Sequence, residues 1–107
     1  MSFSPPPAPT MPTLKTLSNE VDSVIDWFSL GVKLELELHV LSQLENDHRG
    51  NNVRCKYEML GHWLRNAKQP TWKAMADALC LIGEHRVALN IRTKYCSSSN
   101  ATGMYLL

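Results

Sequence analysis

No run of apolar residues in this chain is long enough to span a bilayer, so no membrane association is expected of it. The start, Met1-Ser2-Phe3-Ser4-Pro5, lacks both the basic region and the apolar stretch of a secretion signal. Cysteine is scarce, with Cys55, Cys80 and Cys96 forming an odd, widely spaced set of three. Such a set suits reduced thiols better than a disulfide framework, which favours the cytoplasm. The sequon Asn100-Ala101-Thr102 is then a chance match that never meets a glycosylating enzyme. Excess charge of one sign is also missing. With 11 basic and 10 acidic residues the formal charge is +1, so no overall field draws the chain to nucleic acid or anionic lipid. No cysteine pair stands two apart, and His39, His48, His62 and His85 show no zinc-ligand spacing, so they read as surface or interface histidines. No glycine-rich loop follows a strand to cradle phosphate. Neither a metal nor a cofactor is expected.

What is present suits one small globular unit: 107 residues, 44% apolar and 20% charged, room for one core. Pro5, Pro6, Pro7, Pro9 and Pro12 remove backbone donors and hold the start extended, so residues 1–12 are expected to be a disordered tail. Ser97 to Gly103 is polar and aperiodic, so residues 97–107 are expected to be a flexible tail. A helical bundle is expected between them, over 13–96.

The clearest element is Asn52 to Arg65. Val53, Tyr57, Leu60 and Leu64 form one stripe at helical spacing, and Cys55, Met59 and Trp63 form a second beside it. Only Arg54, Glu58, Gly61, His62 and Arg65 are left as a narrow polar arc, so this helix should be packed on two sides. Thr71 caps a following helix that buries Trp72, Met75, Ala76, Leu79 and Ile82, and Gly83 ends it. A last helix from about Glu84 to Tyr95 buries Val87, Ala88, Ile91 and Tyr95, leaving His85, Arg86, Arg92 and Lys94 outside. Upstream, Ser23 with Asp26 resembles a capping box, opening a helix through Val24, Trp27, Phe28 and Leu30 that Gly31 breaks or bends. A short helix from about Thr13 to Val21 precedes it, with Leu14, Leu17 and Val21 inward.

One segment carries two periods. Val32, Leu34, Leu36, Leu38 and Val40 alternate with Lys33, Glu35, Glu37 and His39, which is strand spacing. Leucine and glutamate favour helix, no second segment offers a strand to pair with, and Leu34, Leu38, Leu41 and Leu44 also fit a helix face. A helix from about Glu35 to Glu45 is therefore expected.

Six short helices with tryptophans in the second, fourth and fifth resemble the death-domain family. The carriers are Asp26-Trp27-Phe28-x-Leu30-Gly31 followed by Leu34, and Leu41 with Leu44-Glu45-x-Asp47. Glu58-Met59-Leu60-x-x-Trp63-Leu64 and Thr71-Trp72 with Ala78-Leu79 complete them. The details look most like short death domains of invertebrate adaptor proteins. The poorly marked first helix is a departure, and it puts in doubt any contact the family makes there. The resemblance implies an all-α, six-helix antiparallel Greek-key bundle with a core including Trp27, Leu30, Leu41, Leu44, Leu60, Trp63, Leu64, Trp72 and Leu79. It also implies a module without an active site that assembles with other death-fold domains, or with further copies of itself, in apoptotic or innate-immune signalling.

Such assemblies join one charged patch to a different, complementary one. Acidic Glu35, Glu37, Glu45 and Asp47 gather around the third helix, and basic Arg49, Arg54, Arg65 and Lys68 on and beside the fourth. Two readings stand side by side: contact surfaces for head-to-tail stacking, or ordinary solvated helix faces.

Other chemistry finds less footing. Cys55 lies seven residues before His62, leaving them ~10 Å apart along a helix, too far for proton transfer. A helical DNA-binding domain is the alternative reading, but it needs a recognition helix with a protruding polar face and a basic field. Trp27, Trp63 and Trp72 sit on apolar stripes, which makes them core residues and not stacking platforms for bases. Replacing any one of them with alanine is therefore expected to cost ~3 to 5 kcal/mol, read as a lower urea midpoint or outright loss of the folded baseline.

Overall fold

The computed structural model describes residues 11–96, and the expected tails and the sequon fall wholly or mostly outside them. Six α-helices follow one another: α1 (Leu14–Glu20), α2 (Trp27–Lys33), α3 (Leu38–Asp47), α4 (Asn52–Asn66), α5 (Trp72–Leu81) and α6 (His85–Ile91). A π-helical turn, Arg92–Cys96, continues α6. No strand occurs among the described residues.

Local chemistry explains most helix ends. Thr13 opens α1 in a reciprocal box with Thr16, each side chain accepting from the other's backbone N–H. The Asn51 side chain accepts from Arg54 N at 3.0 Å and starts α4. Thr71 does the same for α5 through Ala74 N, at 3.1 Å. At the far end of α5, Gly83 sits at φ +87°, its N–H donating to Cys80 O while Glu84 N donates to Leu79 O. That pair of bonds is the Schellman closure that a residue without a Cβ permits.

Three expectations about α2 and α3 are corrected. Asp26, not Ser23, is the cap of α2: its carboxylate accepts from Ser29 N at 3.1 Å and Ser29 Oγ at 2.8 Å. Gly31 does not break α2, which runs on to Lys33. Instead, Gly31 lets α2 and α3 approach, because a Cβ there would meet Leu41 Cδ2 at 2.5 Å and Met59 Cγ at 3.3 Å. The helix expected from Glu35 begins only at Leu38, after a turn in which Glu35 takes the left-handed conformation at φ +71°. The alternation over Val32 to Val40 thus spans the end of α2, this turn and the start of α3. Leu34 is buried in the turn rather than on α3, while Leu38 is 61% exposed on the helix where an inward position was expected.

α2 and α4 form the centre, with α2 touching α3, α4 and α5, and α4 touching α1, α2 and α3. Of the nine residues expected in the core, Trp27, Leu30, Leu41, Leu60, Trp63, Trp72 and Leu79 are buried; Leu44 and Leu64 are half-buried against the same cluster. The Cys55, Met59 and Trp63 stripe of α4 points inward. Its companion stripe does so only in part, for Val53 is 75% and Tyr57 45% exposed. The reason is length: α1 lies along α4 from Gly61, beside Leu14, to Lys56, beside Val21, so the first turn of α4 projects past its end.

Lys56 has no place in the core on sequence grounds, yet it lies inside. It is 9% exposed, and its ammonium donates to Val21 O at 2.9 Å, Val24 O at 2.8 Å and Asp22 O at 3.1 Å. Burial pushes this amine below the usual lysine range, with the Asp22 carboxylate pulling the other way. The final elements are closed by Glu20 at the end of α1, which accepts from Lys94 Nζ at 3.0 Å, Tyr95 OH at 2.9 Å and Asn90 Nδ2 at 3.3 Å. Lys94 and Arg92, expected outside, keep much of their side chains exposed and are nonetheless both paired, Arg92 with Asp77 at 2.7 Å. Tyr95 also stacks on Trp72, ring centroids 3.8 Å apart and planes within 5°.

Replacing Lys56 with methionine keeps the bulk of the stem but leaves Val24 O without its buried donor, while Val21 O keeps the hydrogen bond from Val24 N. At ~1–3 kcal/mol for an unpaired buried acceptor, the expected loss is about 1 to 3 kcal/mol. Urea unfolding measures it, and faster amide exchange confined first to residues 21–25 would locate it.

Candidate protein-interaction surface

The charged residues marked in the sequence are exposed, but their grouping differs from a single acidic patch facing a single basic one. Glu37 stands just before α3 while Glu45 and Asp47 lie at its end, ~12 Å or more further along the axis. Arg54 and Arg65 are likewise separated along α4 by ~16 Å. α3 and α4 are joined by a tight turn in which Asn51 N donates to His48 O at 2.8 Å. Glu45 and Asp47 therefore share one end of the pair with Arg49 and Arg54. At the other end Glu35 and Glu37 line a groove with His62, Trp63, Asn66 and Ala67 at the finish of α4, where Arg65 stands on the same turn with its guanidinium over Gly61 and Lys68 follows. Each end holds both signs, because two helices joined by a short turn bring the finish of one beside the start of the next.

Individual partners sharpen this. Arg54 Nε is paired with Glu58 at 2.9 Å within α4, and Arg49 Nη2 donates to Asn46 at 2.8 Å. Asp47 accepts from Gln43 Nε2 at 2.9 Å, and Glu37 lies 3.3 Å from His39 Nδ1. The Arg65 guanidinium folds back over Gly61, 3.1 Å from where a Cβ would stand. At the second end lies a groove of about 400 Å³, floored by Leu34, Leu36, Val40 and Trp63 and edged by Glu35, Glu37 and His62. The left-handed backbone of Glu35 is at its lip, a conformation a β-carbon resists and surrounding structure must hold.

Sequence reasoning gives no sign of the exposed apolar residues. Ile25 is 78% exposed in the turn that Lys56 holds against the end of α4 carrying Val53 and Tyr57. Three apolar side chains thus stand at the same corner as the Arg49 and Arg54 cluster. Exposed apolar groups beside separated charges are what protein recognition uses. Only the lack of a helix opposite Val53 reveals its exposure, and that is a fact of tertiary packing.

Catalytic and metal chemistry gain nothing from the geometry. Cys55 Sγ donates to Leu44 O and His48 O, each at 3.6 Å, and is 2% exposed. Burial, then Glu45, pushes its thiol above the usual range, so it is a weak nucleophile. Among the described residues no group of three His, Cys, Asp or Glu side chains could hold a metal ion. No helix among them is long and apolar enough to cross a membrane.

A six-helix bundle with its three tryptophans inside, and charge and apolar side chains at its corners, has the form of a protein-interaction domain. More particularly, the family model of the Death domain matches residues 11–95, and the chain belongs to that family. No curated protein and no solved structure matches the chain. Membership makes this a module of protein–protein interaction in signalling.

Asp77 at the α5–α6 junction supplies a pH test. Hydrogen bonds from Lys73 and then Arg92 hold its carboxyl below the usual range. Its stabilising contribution is therefore complete above the unfolded value of ~3.9 and lost as pH falls through the lower folded value. With the side chain 45% exposed, Asp77→Asn should cost at most ~1 kcal/mol at pH 7. The gap between variant and parent in urea midpoint should close below about pH 4.

Proposed function

We propose that this chain is a non-enzymatic adaptor module of the cytoplasm, folding over 13–96, that joins other death-fold domains in apoptotic or innate-immune signalling. Self-assembly into head-to-tail stacks is part of the reading. It is carried by one observation, the mixed charge at both ends of the α3–α4 pair, Glu45 and Asp47 with Arg49 and Arg54, Glu35 and Glu37 with Arg65. A surface bearing both signs at two separated places can meet a second copy, acid to base, without using the same patch twice, and such contacts leave the stack open to grow.

The condition of Cys55 supports the non-enzymatic part, since the thiol nearest the core is buried and weak and its neighbours are backbone carbonyls. Nucleic acid is disfavoured because α4 is packed by three helices and its outward arc sets Glu58 between Arg54 and Arg65. A recognition helix needs the reverse, a protruding face with a continuous basic field. A membrane role is disfavoured by the same balance of charge.

The test is assembly of the purified chain, alone and mixed with other death-fold domains, by sedimentation velocity. Arg54→Glu with Arg65→Glu should shift the boundary toward monomer and leave the circular dichroism spectrum unchanged. A second carboxylate four residues before Glu58 costs the helix only about 0.5 kcal/mol or less. Mixing that variant with a Glu35→Lys, Glu37→Lys partner should restore assembly. Undiminished assembly of the double-arginine variant would refute the charged-surface reading.

A further inference from the structure

The π-helical turn Arg92–Cys96 is built differently from the six helices before it. Every α-helix buries at least one residue, whereas none of the five in this turn is fully buried. Its winding is a rare one, found mostly as single turns. Among its ties to other elements, Arg92 Nη2 pairs with Asp77 at 2.7 Å, and Lys94 and Tyr95 donate to Glu20 at 3.0 and 2.9 Å. The side chains of Arg92, Asp77 and Lys94 are 41%, 45% and 51% exposed, and ion pairs so open to water contribute little. Glu20 alone is nearly buried, and Asn90 of α6 remains to donate to it if the turn departs.

Beneath the turn lies Trp72, the first residue of α5 and 3% exposed. Tyr95 covers its indole with ring centroids 3.8 Å apart and planes within 5°. That is close to a face-to-face sandwich, in which the electron-rich ring faces repel, so the stack supplies contact area with little electrostatic attraction. The indole Nε1–H is buried and meets no acceptor among the described residues. An unpaired buried donor favours any state in which water reaches it. The closed turn thus leaves a donor unpaired, sets two rings face to face and rests largely on exposed ion pairs.

We propose that Arg92–Cys96 is a strap that lifts off Trp72 as one unit while the rest of the bundle stays folded. Lifting parts Arg92 from Asp77 and takes Lys94 and Tyr95 from Glu20, and it uncovers one face of the indole together with its N–H. Glu20 is the last residue of α1, so the first helix loses its ties to the strap in the same step. The movement stops at Lys56, which holds Val21, Asp22 and Val24 from α4 and takes no part in the strap. α5 keeps Met75, Ala76, Ala78 and Leu79 in the core, so the bundle persists. The chain thereby has a second folded state, with an aromatic face and a hydrogen-bond donor at its surface that the closed state hides. This switch stands apart from the charge-based assembly proposed above and does not depend on it.

Hydrogen exchange of the folded full chain, followed by NMR in low urea, tests this, because each indole N–H and each strap amide is read separately. The Trp72 indole and the protected amides of 92–96 should share one opening free energy that scarcely depends on urea. The Trp63 indole should exchange only through global unfolding, with its steep dependence on urea. Tyr95→Phe keeps the stack and removes the bond to Glu20, so exchange of the Trp72 indole and the strap should rise together by roughly 3- to 10-fold. Leu41→Val, on α3 and outside the strap, should speed exchange of the Trp63 indole and leave the Trp72 indole and the strap unchanged. A Trp72 indole that follows the urea slope of Trp63 and quickens with Leu41→Val would overturn the proposal, since the turn would then open only with the whole bundle. Strap amides that open without the Trp72 indole, or an indole with no protection at all, would overturn it equally.

Discussion

The ammonium of Lys56 donates to three backbone carbonyls in the turn between α1 and α2, two of them buried. Backbone acceptors that face a core and find no donor cost about as much as a lost hydrogen bond, so a turn placed there must be supplied from elsewhere. A long side chain on the central helix supplies it. This fixes where α1 ends and where α2 begins against α4, and the charge is tolerated because every proton of the ammonium has an oxygen. The position of the first helix, weakly marked in the sequence, is decided by a residue more than thirty positions downstream.

Around that anchor the bundle is closed at its two ends by different means. Gly31 brings α2 onto Leu41 and Met59, a close approach that depends on having no Cβ. Glu20 draws Lys94, Tyr95 and Asn90 to the end of α1, so the first and last elements meet through polar contacts laid over the stacked Trp72 and Tyr95. Burial and the Glu20 hydrogen bond together push the Tyr95 phenol above its usual range, keeping it a donor. The interior thus uses its aromatic groups for packing, and recognition is left to the corners.

Those corners carry the functional argument. Mixed charge at each end of the α3–α4 pair arises from the hairpin arrangement, and Ile25, Val53 and Tyr57 add apolar surface at one of them. The α5–α6 corner differs in kind, being a place where a thiol, an imidazole and a guanidinium meet.

Much of the fold is legible in residue spacing. The helix type, the inward tryptophans, the Thr71 cap and the Gly83 stop follow from periods of a few residues and from bonds between near neighbours. The departures have a common form. Ser23 and Asp26 both stand where a residue can cap a helix, and only the course of the buried Val24 selects between them. The alternating run over Val32 to Val40 reads as one element because periodicity is blind to a turn that Glu35 makes at positive φ. Val53 and Tyr57 fit the stripe but outrun the helix that would have covered them. Lys56, Glu20 and Arg92 carry no local signal of a role, since their partners lie 15 to 75 residues away. Which helices form, and which side chains they offer to a core, are settled by the order of residues alone, because both depend on geometry within a few positions. Which polar groups are buried and which charges share a corner are settled by packing, because such contacts exist only once distant segments are brought together.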